Sequence, residues 1–312
     1  ESIVKNKKFV VLGGSGFIGQ EIVENLVREG IDVTVGCRDI KKAEFLEQIK
    51  GNGRVTVVQT DVTVQQDLRN ILQGADLVIS LVGILYEIGK YTFNTIQAEV
   101  PQMIGVEANK AGVERILHFS AIGADKNSQS KYAVSKAMGE ESLLSVFPAT
   151  TIFRPSIVFG PNDNFFNKFS NMAAFSPVLP LIGRGETLFQ PVYVKDISNA
   201  VLRVFESTQT VGKIYELGGP STYSFKELIE LTMLYSRRSR LLLNLPFWLA
   251  DIQASFMELL PKPILTRDQL ELLKVDNVVG NKMFTLADLD IIPTRCETIL
   301  QTYLEPSFKK SS

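Results

Sequence analysis

Phe9-Val10-Val11-Leu12-Gly13-Gly14-Ser15-Gly16-Phe17-Ile18-Gly19 runs an apolar strand into a glycine-rich turn and then directly into a helical pattern. Each glycine does something different in such a turn. Gly13 permits the sharp reversal, Gly16 lets backbone N–H groups approach a phosphate with no Cβ in the way, and Gly19 lets the new helix lie close on the strand. The helix N-terminus adds unsatisfied N–H groups and the positive end of its dipole, worth about 0.3–1 kcal/mol to a nearby anion. A glycine turn can also be purely structural, so context decides. Here a strand precedes it, Ile18, Ile22, Val23, Leu26 and Val27 mark an apolar helix face after it, and a second strand over Asp32–Cys37 follows Gly30. Gly13, Gly14, Ser15, Gly16, Phe17, Ile18 and Gly19 are therefore the expected pyrophosphate segment of a dinucleotide site.

The same alternation continues downstream. Strands are predicted over Arg54–Gln59, Asp76–Leu81, Arg115–Ser120 and Thr150–Phe153, with helices from about Gln65, over about Phe93–Ala111 and over about Lys131–Val146. Strands alternating with helices predict an α/β fold, a doubly wound parallel Rossmann sheet whose ligand lies at the carboxyl ends of its strands. Residues 156–191 carry Pro161, Pro177, Pro180, Pro191 and several glycines, a texture of long site-covering loops. The C-terminal third offers helices over about Ser224–Arg237 and Pro246–Leu260, separated by Arg237-Arg238-Ser239-Arg240-Leu241-Leu242-Leu243. The division expected is a dinucleotide-binding core over 1–160 and a smaller C-terminal α/β cap domain over 161–312, some of whose segments return to the core.

Composition narrows the function classes. The 312 residues are 45% hydrophobic and 21% charged, and 33 Lys plus Arg against 34 Asp plus Glu leave a formal charge of −1. No basic field invites nucleic acid. The two cysteines, Cys37 and Cys296, are far apart and the single histidine, His118, has no neighbouring ligands, so no metal site is expected and a reducing compartment is. His118 ends an apolar run and reads as a strand histidine satisfied by hydrogen bonds rather than a catalytic one. No signal-peptide pattern precedes the first strand, although a chain starting at Glu1 is compatible with a removed targeting segment.

The second strand ends Val33-Thr34-Val35-Gly36-Cys37-Arg38. An acidic residue there would bind a ribose 2′-hydroxyl and repel a 2′-phosphate. Cys37 takes that place with Arg38 beside it, and a guanidinium can pair with a phosphate or stack on adenine. NADP(H) is thus preferred, with NAD(H) possible; the alternative is an Arg38 that points into solvent with Asp39. Asp61-Val62 after the third strand can accept from the adenine amino group or cap the next turn. Leu81-Val82-Gly83 would end the fourth strand against the cofactor. Tyr132 and Lys136, four residues apart on a helix, share one face at about 5–6 Å between Cβ atoms. A nearby ammonium stabilises a phenolate, so the pair can move a proton while a nicotinamide moves a hydride. Packing alone can also produce such a pair.

Tyr-x-x-x-Lys after a complete glycine motif resembles the short-chain dehydrogenase/reductase superfamily in its extended and atypical branches. The resemblance implies Tyr132 as acid/base, Lys136 holding the ribose, and a hydroxyl after the fifth strand binding the substrate oxygen. Phe119-Ser120-Ala121-Ile122 departs from that pattern, since Ser120 sits one or two residues early. Arg154-Pro155-Ser156-Ile157-Val158-Phe159-Gly160-Pro161, the run Asp163–Phe169, Gln190-Pro191-Val192-Tyr193-Val194-Lys195-Asp196, Tyr215–Pro220, Leu265–Gln269 and Asp276–Val279 sharpen the likeness. They resemble the family of the nucleotide-binding accessory subunit of respiratory complex I, alpha subcomplex subunit 9 in mitochondria, and its bacterial homologues. That resemblance implies a tightly held NADPH in a structural or redox-sensing role. Its implied partners are complex I subunits or other membrane-associated redox proteins, with peripheral contact on the bacterial cytoplasmic face or the mitochondrial matrix side. Pro155, Ser156 and Ile157 would follow the sheet near the nicotinamide, or serve as loop packing. A free-standing reductase or epimerase acting on a sugar nucleotide, quinone precursor or other carbonyl compound is the alternative. Arg237, Arg238 and Arg240, with Trp248, Ile252, Phe256, Leu259 and Leu260, read either as a cation-flanked docking surface or as core of the C-terminal domain.

Overall fold

Apolar runs set off by turns form β1 (Phe9–Leu12), β2 (Val33–Cys37), β3 (Val55–Gln59), β4 (Leu77–Ser80), β5 (Arg115–Phe119) and β6 (Thr150–Pro155), with α1 (Phe17–Arg28), α2 (Gln65–Leu72), α3 (Val100–Ala111) and α4 (Lys131–Val146) between them. The chain continues through β7 (Val158–Phe159), α5 (Phe166–Phe175), β8 (Val178–Ile182), β9 (Leu188–Phe189) and β10 (Val192–Tyr193), and then α6 (Val194–Glu206) and β11 (Ile214–Leu217). It ends with β12 (Tyr223–Ser224), α7 (Phe225–Tyr235), β13 (Leu241–Leu245), α8 (Phe247–Met257), α9 (Arg267–Leu272) and α10 (Cys296–Tyr303). This is a computed structural model that describes residue 4 and residues 6–304. The chain forms two compact units, one holding the chain to Pro155 with Lys195–Leu217 and Gly280–Ile291, the other Ser156–Val194, Gly218–Val279 and the chain from Ile292.

The described residues of the first unit form a parallel seven-stranded sheet in the order β11-β6-β5-β4-β1-β2-β3. The doubly wound α/β expectation is met. Strand order reverses between β1 and β4, and ligands of such sheets bind at the carboxyl ends beside that reversal. Alternation divides the faces. Phe119 meets Phe153 edge-on at 5.5 Å on one side, whereas Val10, Leu12, Val78 and Ile116 pack with Leu68, Ile104 and Leu143 of the helices on the other. Ser130 caps α4, its hydroxyl accepting from the Ala133 N–H at 3.2 Å.

The predicted helix over Phe93–Ala111 divides into a π-helical turn, Asn94–Glu99, and α3. Pro101 lacks an N–H for the Gln97 carbonyl and its ring crowds that oxygen, so the backbone bulges one turn earlier. On α4, Gly139 accepts this bulge, since a Cβ there would stand 1.9 Å from the Gln97 carbonyl oxygen.

The second unit departs from the sequence expectation. Residues 156–191 are not continuous loop but contain α5 and β8, and Leu241–Leu245 is a strand paired in parallel with Val178–Ile182. Phe159, Phe166, Leu179, Leu181, Phe225, Leu228 and Leu300 form its principal core. Pro180 is tolerated because this small sheet has two strands, leaving an edge for a residue without a donor.

Candidate functional site

The glycine turn has the shape a phosphate cradle needs. Gly13 lies at φ +85° with its N–H donating to the Gly36 carbonyl at 3.2 Å. A Cβ on Gly19 would stand 2.6 Å from Gly14 Cα, so the helix can approach the turn this closely only with glycine there. Gly16, by contrast, faces open space, with nothing nearer than 3.7 Å to a Cβ built on it. It is the N-cap of α1, and among the described residues no side chain caps that helix end. The Ser15 carbonyl accepts from Gln20 Nε2 at 2.8 Å, and Phe17 and Ile18 open the helix half-buried. These features fit a bound pyrophosphate. Leu81 reaches the same place, its N–H donating to the Leu12 carbonyl at 2.9 Å, and Val82 borders the core under the sheet.

At the ends of β2 and β3, Arg38 is exposed and lies 4.3 Å over the Tyr91 ring. Asp39 turns away from it, capping a 3₁₀ turn through the Lys41 N–H at 3.2 Å. Asp61 is saturated. Oδ1 accepts from the Thr63 N–H at 3.0 Å and hydroxyl at 2.7 Å, and Oδ2 from Lys90 Nζ at 2.8 Å and the Tyr91 hydroxyl at 3.1 Å. These bonds to the charged form outweigh partial burial and hold its carboxyl down at about 2. Val62 packs at the border of the core below.

Tyr132 and Lys136 share a face of α4, with Nζ 5.8 Å from the ring centroid. Lys136 is buried and donates to the Phe119 carbonyl at 3.3 Å, while a Cβ on Gly83 would lie 3.1 Å from its Nζ. Burial pushes the ammonium down to about 8 against the opposing pull of Glu140. The tyrosine is shifted in the opposite direction to that expected. Burial of the phenol, packed edge-on against Phe93 at 5.9 Å, pushes it up to about 12.

Ser120 is buried and its hydroxyl has no hydrogen-bond partner among the described residues. Alternation with Phe119 places Ser120 and His118 on the sheet face that α4 covers. His118 departs from the satisfied histidine expected: Nδ1 lies 3.3 Å from the Ser80 hydroxyl but Nε2 has no partner among the described residues. Burial and the Lys136 charge push it down to about 3, so it is neutral at physiological pH.

Gln97 and Glu140 left no mark in the motifs. Gln97, on the π-helical turn, donates to the Ser135 hydroxyl at 2.9 Å and accepts from the Ile84 N–H at 3.1 Å, tying the loop after β4 to α4. Arg154 forms a bidentate pair with Glu140 at 2.8 and 2.5 Å and lies 3.5 Å from Glu216, which accepts from the Gly280 N–H at 2.7 Å. That chain of charges fixes α4 to β6 and β11. Pro155 ends β6 in the first unit. Ser156 belongs to the second and donates to Asn277 Oδ1 at 2.7 Å, and Ile157 packs at the border of that unit's core.

The apolar C-terminal segment faces outward. On α8, Ala250 and Ala254 are fully buried, while Trp248, Ile252 and Phe256, one turn apart, are 66%, 48% and 69% exposed. Leu241, Leu243, Leu259 and Leu260 in the same unit are exposed as well. This inverts the usual amphipathic order, with large apolar groups in water. The arginines are another matter. Arg238 donates to Ser170 at 2.9 and 3.0 Å and Arg240 to the Ala173 carbonyl at 2.6 Å, so both tie down α5 instead of flanking a surface. Among the described residues no helix is long and apolar enough to cross a membrane, and no cluster of acidic, histidine or cysteine residues could hold a metal ion.

A glycine-turn Rossmann sheet with Tyr132 and Lys136 beside it defines the class. The chain belongs to the NAD-dependent epimerase/dehydratase family, which residues 9–218 match. Within that class it is a homologue of the complex I alpha subcomplex subunit 9 family. It is 32% identical over 290 residues to the mitochondrial NADH dehydrogenase (ubiquinone) 1 alpha subcomplex subunit 9 of Mus musculus, covering 92% of this chain and 77% of that protein. It is 30% identical to the mitochondrial NADH-ubiquinone oxidoreductase 40 kDa subunit of Neurospora crassa, covering 95% and 78%. An NADPH-dependent quinone oxidoreductase from Escherichia coli, solved with NADPH, has the same fold at a TM-score of 0.73 and 20% identity, covering 94% of this chain and 99% of that one.

Proposed function

We propose that the chain is an NADP(H)-holding accessory subunit of a respiratory NADH:quinone oxidoreductase, weakly catalytic or non-catalytic, and peripheral to the membrane on its matrix or cytoplasmic side. The observation that carries this reading is the 32% identity to a complex I subunit along 92% of the chain. Gly13–Gly19 would hold the pyrophosphate, Arg38 the 2′-phosphate, and Lys136 the nicotinamide ribose. Asp61 and Val62 would border the adenine, with Leu81, Val82 and Gly83 lining the path between. When bound, a nicotinamide supplies a hydride. This chain's contribution to turnover is muted, because Ser120 is offset from the family's position and burial holds the Tyr132 phenol above its ordinary value. The exposed stripe of α8 supports docking on a larger assembly.

A free-standing reductase is the second reading, favoured by the intact Tyr132–Lys136 pair. The cofactor claim is tested by titrating the protein with NADPH and NADH while following nicotinamide fluorescence. NADPH should bind more tightly, and Arg38→Asp should narrow or reverse the gap. One charge-assisted contact is worth about 1.5–3 kcal/mol, roughly one to two decades in affinity. Equal affinities in the unmodified protein would defeat the NADP(H) reading.

A further inference from the structure

The loop that leaves β4 ends in a tight reversal at which Ile88 and Tyr91 exchange backbone hydrogen bonds of 3.1 and 3.0 Å. The reversal sets Lys90 and Tyr91 against the ends of two strands. Lys90 Nζ lies 2.8 Å from Asp61 Oδ2 and 5.1 Å from the Tyr91 ring, the ring that also carries the Arg38 guanidinium at 4.3 Å. Two cations and one carboxylate are thus gathered on one tyrosine at the carboxyl ends of β2 and β3. Arg38 has no acidic partner among the described residues.

Charge decides what this cluster accepts. Asp61 is fully ionised at neutral pH, and a bare carboxylate beside Arg38 would cancel its charge. It would restore the acidic character that excludes a 2′-phosphate at this edge of a Rossmann sheet. With Lys90 in place the cluster carries a net positive charge. We propose that Lys90 determines cofactor specificity: by neutralising Asp61 it leaves the Arg38 charge free for the 2′-phosphate of NADP(H). This inference rests on the dinucleotide reading above and adds to it the residue that sets the selectivity.

The test is a charge cycle. NADPH and NADH affinities are measured for wild type, Lys90→Met, Asp61→Asn and the Lys90→Met/Asp61→Asn double variant, with thermal unfolding of each and with Arg38→Asp alongside. Lys90→Met should weaken NADPH about fivefold to tenfold, as for a solvent-screened pair, and leave NADH within about twofold. The double variant, with both charges gone and the net charge restored, should recover the preference for NADPH over NADH, since any loss of an adenine contact at Asp61 weakens both nucleotides alike. A higher salt concentration should shrink the difference. Parallel weakening of both nucleotides in Lys90→Met would make Lys90 only a loop anchor and overturn the inference, as would a double variant no more selective for NADPH than Lys90→Met. A selectivity change in Arg38→Asp with none in Lys90→Met would sink the Lys90 role while leaving the cofactor reading intact. Failure of the wild type to bind either nucleotide would sink both.

Discussion

Replacing Trp248 and Phe256 with serine should release the protein from the proposed respiratory assembly without unfolding it. A fully buried Trp or Phe covers about 150–250 Å². With Trp248 66% and Phe256 69% exposed, roughly 100–170 Å² of each is still available to a partner. At about 25 cal/mol per Å² this amounts to about 2.5–4 kcal/mol per residue. The entropic cost of association is common to both proteins and cancels in the comparison. Allowing for incomplete burial, a loss of about 4 kcal/mol, near a thousandfold in affinity, is expected for the pair. Stability should change by no more than about 0.5 kcal/mol per site, since neither side chain supports the core. Membrane co-sedimentation and co-migration with the respiratory complex on native gels read the first quantity, and urea unfolding reads the second. A double variant that stays attached would refute the reasoning, and so would one that unfolds early, which would place these side chains in a core.

NADPH oxidation with generic carbonyl or quinone substrates should be slow or absent, and nucleotide retention should survive Tyr132→Phe better than Lys136→Ala, which removes the proposed ribose contact; rapid turnover abolished by Tyr132→Phe would promote the reductase reading. Glu107, buried on α3 and bonded to Lys110 at 2.8 Å, Gln65 at 2.7 Å and Arg69 at 3.2 Å, has its carboxyl held down at about 2. Its stabilisation is complete above the unfolded value, about 4.3, and is lost as pH falls through about 2. Glu107→Gln should therefore cost about 1 kcal/mol in urea unfolding at pH 7 and flatten the acid limb, its cations being half-exposed; an unchanged acid limb would remove Glu107 from the account.

The parallel sheet was legible because buried strands write their own signature, and α4 was legible from Lys131 to Val146 because Ser130 caps it and Pro148 follows it. The second unit was less so. α5 is hidden among prolines, and β13 is a strand only because β8, far away in sequence, supplies its partner. The glycines of the turn after β1 declared themselves through spacing. Gln97 did not, because its position depends on the backbone bulge before Pro101 and on the missing side chain of Gly139. Nor could the sequence settle which way α8 faces. Trp248, Ile252 and Phe256 recur every four residues as a core stripe would, and only burial shows that Ala250 and Ala254 face inward instead. Lys90 escaped notice for the same reason, since Asp61 meets it, and Arg38 meets its neighbour Tyr91, only in three dimensions.

The central claim is an NADP(H)-carrying subunit resident in a respiratory complex, and native mass spectrometry of that complex, purified gently from the organism that makes this chain, tests it most directly. The account predicts this chain within the particle and one NADP(H) released with it on dissociation. A particle that lacks the chain, with the free protein carrying NAD(H) or no nucleotide, would contradict it.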